Sequence, residues 1–118
     1  MNKAAVSLTT GLEDTERVTV AFLVAVAAAE AGRPTMMFLT KEAARLAVEG
    51  VAVAVACDGC PPLTTLMGRY AAAGGQMIVC GVCVDAKKLD PETFIPNATK
   101  GGTVQLWGIG DGATTFSY

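Results

Sequence analysis

The sequence predicts a three-layer α/β domain, a mainly parallel five-stranded sheet with helices on both faces. Two observations carry this. Short apolar runs of strand length alternate with longer segments of helical length, as in successive βαβ units. The runs also lack polar alternation, as strands covered on both sides do. At 118 residues the chain is expected to be one domain, spanning residues 1–118, and it is long enough to bury a core.

Residues 3–9 (KAAVSLT) read as a first strand that breaks at Thr10 and Gly11. Glu13 and Asp14 then precede an apolar-rich stretch, residues 15–31, closed by Gly32. Acids in the first turn and glycine past the last are helix-end signals. The valines between 18 and 26 tolerate a strand, but a run of this length is a helix. Pro34 opens a second strand, residues 35–40 (TMMFLT). Residues 41–49 (KEAARLAVE) read as a short amphipathic helix with Ala44, Leu46 and Val48 inward, ended by Gly50.

Residues 51–56 (VAVAVA) read as a third strand, apolar on both faces and so placed inside the sheet. After Cys57-Asp58-Gly59-Cys60, Pro61 and Pro62 stand where a helix tolerates proline, at its start. Leu63, Leu66, Met67 and Tyr70 then recur at helical spacing, one face towards the sheet, until Gly74 and Gly75. Residues 76–79 (QMIV) are a fourth strand that runs into Cys80-Gly81-Val82-Cys83. Beyond it, residues 84–88 read as a single helical turn. Residues 98–107 read as a weak helix damaged by Gly101 and Gly102, and residues 114–118 (TTFSY) as the last strand. The strands ending at Thr9, Ala56 and Val79 are expected to be central.

Apolar residues make up 52% of the chain and charged residues 17%, a balance more apolar than that of an average domain. A small domain so composed is expected to cover part of its apolar surface with further copies of itself, as obligate interfaces do. The net charge is −2 and the nine Lys and Arg are scattered, so no nucleic-acid contact is expected, since that needs a basic stripe. The longest apolar stretch, residues 18–29, contains Thr19 and is too short to span a bilayer, and the start lacks the apolar core of a signal peptide. No membrane partner is therefore expected, and the location is read as cytoplasmic, where thiols are kept reduced. With no histidine in the sequence, Ser-His and Cys-His catalysis, histidine-ligated metals and imidazole acid–base chemistry are excluded.

The four cysteines are accordingly read as redox, sulfur-handling or metal residues before structural disulfides. In parallel sheets ligand chemistry gathers beyond the carboxyl ends of the strands. Both CxxC pairs fall at such ends, after the third and fourth predicted strands. Three readings compete. Free cysteine often packs as a small hydrophobe, which would make the protein a non-catalytic oligomeric scaffold. Cys57 and Cys60, followed after nineteen residues by Cys80 and Cys83, have the spacing of a four-cysteine zinc site in a structural or binding protein. A whole predicted helix between the pairs, and a core sufficient without metal, weigh against it. The third reading is thiol chemistry. A cysteine at a strand-to-helix junction faces the N–H groups of the next turn, which favour the thiolate. Cys80 has that position, with Lys87 and Lys88 further along to add positive potential. Cys83 is then placed to attack a persulfide or sulfenic acid on Cys80. On this reading Cys80 and Cys83 are the catalytic residues and no cofactor is needed.

Other residues take plainer roles. Thr9, Thr10 and Gly11 sit where a phosphate would be cradled, but the glycine-rich fingerprint is missing and a simple turn is expected. Asp58 and Asp85 flank the cysteine pairs as caps or turn residues. Arg69 is expected on a solvated helix face, and Trp107 in the core or a subunit interface.

The order of elements, together with TTGLEDTERV (9–18), FLTKEA (38–43), CPPL (60–63), GGQMIVCGVC (74–83) and the closing FSY (116–118), resembles the DsrE/DsrF-like family of sulfur-handling proteins. The resemblance covers nearly the whole chain and points to the family's shorter branch. It implies flavodoxin-like α/β subunits assembled as homo-trimers or hexamers. It also implies partners that donate and accept sulfur, and a sulfurtransferase or carrier role in which sulfur travels as a cysteine persulfide. Members of the family serve dissimilatory sulfur oxidation or tRNA thiolation. The sulfur-carrying cysteine of the family follows the fourth strand, and Cys80 is the matching position. The resemblance assigns no role to Cys57, Cys60 or Cys83.

Overall fold

A computed structural model describes residues 2–118. Five strands, β1 (Ala4–Leu8), β2 (Thr35–Leu39), β3 (Gln76–Cys80), β4 (Ala98–Gly101) and β5 (Thr114–Ser117), form one sheet in the order β4-β3-β2-β1-β5. Every pairing is parallel, with Val6 opposite Met37 and Phe38 opposite Ile78. The central strand β2 is buried along its whole length. Parallel neighbours need crossover connections, which include α1 (Thr15–Glu30), α2 (Leu63–Ala72), α3 (Gly81–Ala86) and α4 (Thr103–Gly110). This is the three-layer α/β architecture expected from the sequence. No helix among the described residues is long and apolar enough to cross a membrane.

Local chemistry sets the ends of these elements. The Asp14 side chain accepts from the Arg17 N–H at 3.0 Å and so caps α1. The helix stops at Gly32, whose φ of 91° suits glycine. The larger core lies on the α1–α2 face, where Leu8, Phe22, Met37, Leu39, Leu66, Tyr70 and Met77 are buried together. Tyr70 presents a ring edge to Phe22 at 6.3 Å and 85°. Its hydroxyl donates to the Gln76 carbonyl at 2.7 Å, so α2 is tied to the start of β3. Burial pushes the Tyr70 phenol well above its ordinary pKa. A Cβ at Gly75 would overlap that ring. The opposite face of the sheet is thinner, with Ala5, Met36, Phe38 and Ile78 covered in part by Leu106 of α4.

Two expectations about elements fail. Residues 51–56 are not a strand. Val51–Ala54 is a 3-10 segment with Val53 73% exposed, and only Val55 of the run is buried. A strand there would need the preceding residues to cross back over the sheet. The segment available, Lys41–Ala47, is itself 3-10 rather than α-helical and rises about 14 Å, less than a five-residue strand spans. The chain instead crosses from β2 to β3 through α2, and β2 pairs directly with β3. Val48, expected inside a helix, forms an isolated antiparallel bridge with Phe94. Residues 98–107 are likewise not one weak helix. Gly101 ends β4 and Gly102 links it to α4, and a Cβ at Gly101 would lie 2.7 Å from Ile78 Cγ2. The glycine there permits the close approach of an edge strand. The fifth strand therefore comes from residues 98–101.

Candidate functional site

Cys80 is the last residue of β3, opposite Gly101 of β4, and directly follows the fully buried Val79. Its backbone is therefore fixed by the sheet. Cys83 lies in α3, and both thiols are free and half-buried. The Lys41 N–H, from the loop after β2, donates to Cys83 Sγ at 3.1 Å. At Lys41 the backbone takes a left-handed φ of 53°, uncommon for a residue with a side chain.

Charged groups surround the pair. The Glu42 carboxylate accepts from Arg45 Nε at 2.7 Å and from Lys87 Nζ at 3.1 Å. Asp85 accepts from Lys100 Nζ at 2.8 Å. A Cβ at Gly81 would lie 3.4 Å from Lys100 Cε, so this lysine runs over the start of α3. Gly11 closes the other side of the rim, where a Cβ would stand 2.5 Å from the Glu42 carbonyl oxygen. Glycine is needed for the loops after β1 and β2 to meet.

These surroundings act on the two groups that shift. Burial pushes the Cys83 thiol above its ordinary value, and the Lys41 N–H opposes this. The neighbouring Cys80 sulfur raises it further, while Lys87 lowers it. The Glu42 carboxyl is held below the usual range, first by its hydrogen bond from Arg45 and then by that from Lys87.

The other sequence-predicted residues lie elsewhere. Cys57 and Cys60 are bonded to each other as a disulfide, with their Cα atoms 5.2 Å apart. The sequence leaves this pair open between redox, metal and structural roles. Among the described residues no three of His, Cys, Asp and Glu come together to hold a metal, so Cys57, Cys60, Cys80 and Cys83 are not gathered as zinc ligands. The first turn of α3 makes no capping hydrogen bond with the Cys80 side chain. The backbone donor that reaches a sulfur comes from Lys41. The Gly11 N–H is already taken by Glu13 Oε1 at 2.7 Å, which agrees with a plain turn at residues 9–11. Asp58 is exposed, and Arg69 pairs with Glu30 at 2.7 Å across α1 and α2. Trp107 is 79% exposed and is not part of the core. Sequence reasoning missed Lys41 as the neighbour of the Cys83 thiol, and Glu42 as the partner of Lys87. The available signal was that FLTKEA sits at the carboxyl end of β2, the strand beside β3.

A flavodoxin-like domain with a CxxC pair on the carboxyl rim of its parallel sheet defines the class. A model of the DsrE/DsrF-like family matches residues 2–116, and the chain belongs to that family. Among solved structures, the YchN protein of E. coli is similar with a TM-score of 0.81 at 16% identity, over 100% of both chains. A protein of unknown function from Methanobacterium thermoautotrophicum, MTH1491, is similar with a TM-score of 0.67 at 9% identity, over 98% of this chain and 100% of that one. At these identities the likeness is one of fold. A comparison with curated proteins finds no match.

Proposed function

We propose that this protein carries sulfane sulfur as a persulfide on Cys80, within a sulfur relay or thiol-redox system, with Cys83 assisting release. The observation that supports it is the pair of free, half-buried thiols on the rim, with Cys80 ending β3, Cys83 in α3 and the Lys41 N–H donating to the Cys83 sulfur. Membership of a family whose better-understood members relay sulfur supports it too.

In the loading step the Cys80 thiolate attacks the outer sulfur of a donor persulfide. A sulfur–sulfur bond forms on Cys80 and the donor leaves as a thiolate. In the release step an acceptor thiolate takes the outer sulfur, and Cys80 leaves as a thiolate. Thiol exchange is faster when the leaving sulfur is better stabilised, and the thiol of Cys83 in α3 supplies a proton for it. Donor and acceptor are proteins with reactive thiols, and the rim is open to them at Cys80.

Intact mass after incubation with polysulfide tests this. The parent is expected to gain one sulfur atom and Cys80→Ser none, while melting at the parent's temperature. Cys83→Ala is expected to gain the sulfur but release it more slowly to a thiol acceptor. Uptake of sulfur by Cys80→Ser equal to the parent's would overturn the assignment. A parent that takes up no sulfur would favour the oligomeric scaffold.

A further inference from the structure

We propose that Cys57 and Cys60 form a second thiol–disulfide exchange site, separate from Cys80, that accepts two electrons from a dithiol. The first observation is that the backbone closes this pair without help from the sulfur–sulfur bond. The Cys60 N–H donates to the Cys57 carbonyl at 3.0 Å, and Gly59 takes the φ of 78° that such a turn requires and glycine allows. The two sulfurs therefore stay neighbours after reduction and can rejoin. Both flanks are anchored independently. Val55 and Leu63 are buried, and Thr15 Oγ1 donates to the Ala56 carbonyl at 3.2 Å. Reduction releases no segment of the fold.

The reduced state also has a partner waiting. Cys57 Sγ lies 3.9 Å from Thr19 Oγ1. That buried hydroxyl spends its proton on the Thr15 carbonyl at 2.8 Å, so its lone pair is left to accept from a Cys57 S–H. The cysteines are half-exposed, and Asp58, Gly59, Pro61 and Pro62 beside them are exposed, which leaves the bond open to attack by another thiol.

The reductant class follows from the geometry. A monothiol that opens the bond meets a second cysteine whose Cα is 5.2 Å away, and that thiolate expels it again. A dithiol completes the exchange. Its first thiolate attacks one sulfur of the pair and the other leaves as a thiolate. Its second then displaces the mixed disulfide. The products are Cys57 and Cys60 as thiols and the dithiol as its own disulfide, with two electrons and two protons transferred.

The test uses the full chain with Cys80→Ser and Cys83→Ser, so that failure of the Cys80 assignment leaves it intact. The protein is equilibrated with mixtures of reduced and oxidised dithiothreitol, trapped with iodoacetamide and weighed. The expected result is a reversible transition between species with no label and two labels, at unchanged helix content in circular dichroism. Reduced glutathione at the same thiol concentration should leave at least tenfold more of the pair oxidised. A pair that resists dithiothreitol until denaturant is added, that does not re-form, or whose reduction unfolds the chain would overturn the proposal.

Discussion

A proton on Cys83 is held there by burial and by the neighbouring Cys80 sulfur, against the pull of the Lys41 N–H and of Lys87. Two changes should loosen it. Cys80→Ser removes the neighbouring sulfur, and Glu42→Gln frees Lys87 from its ion pair to face the thiol. In each variant the alkylation of Cys83 is expected to begin at lower pH than in the parent, since both changes favour the anion. Peptide-resolved labelling with iodoacetamide across neutral to alkaline pH measures it. An unchanged profile in Cys80→Ser would mean that the two sulfurs are not coupled. At this scale Cys80 and Cys83 were legible because a CxxC pair at a strand end carries its own signal, whereas the strand expected before Cys57 is absent. Lys41 was not legible, because its place beside Cys83 depends on β2 and β3 being neighbours. The sequence spacing between residues 41 and 83 does not reveal that.

The segment VAVAVA shows how an apolar pattern misleads when the path of the chain is unknown. Its composition suits a buried strand, but the preceding residues are too short a crossover, and Val53 ends 73% exposed. Val53→Asp is therefore expected to change stability by no more than about 0.5 kcal/mol, as exposed positions do. A loss of several kcal/mol in urea unfolding would restore the strand. Tyr70 is the opposite case, legible from its place in the Leu63, Leu66, Met67, Tyr70 stripe and buried as that stripe implies. Tyr70→Phe removes the donor to the Gln76 carbonyl and is expected to cost about 1–2 kcal/mol. Gly75→Ala drives a methyl into the same ring and should cost about 1–3 kcal/mol by overpacking. The Cys57–Cys60 bond closes a loop so short that it stabilises by only about 2 kcal/mol in the chain-entropy picture, which suits a bond made to be broken.

The whole molecule leaves the α4 face apolar. Val104 and Trp107 of α4 are 86% and 79% exposed. Concavities of about 310 and 200 Å³ lie between α4 and the sheet, and no cysteine lines them. Exposed apolar groups gathered on one side mark an interaction surface, and a second copy of the chain is the occupant that the 52% apolar content suggests. Sedimentation at micromolar concentration is expected to show a trimer or hexamer, and Val104→Lys with Trp107→Lys to shift it to smaller species. A monomeric parent would contradict this. The layered architecture and the helix faces were readable because periodicity and helix-end residues are local. The strand order, the edge strand at residues 98–101 and the neighbours of the thiols depend on long-range pairing, which one sequence does not display.

The location of the sulfur tests the central claim most directly. The parent is loaded with polysulfide, blocked with iodoacetamide and digested with trypsin. Cleavage after Arg69 and Lys87 puts Cys80 and Cys83 on residues 70–87, and cleavage after Arg45 and Arg69 puts Cys57 and Cys60 on residues 46–69. Fragmentation is expected to find the added sulfur atom on Cys80. Its presence on Cys83, or on residues 46–69 with Cys80 unmodified, would contradict the assignment.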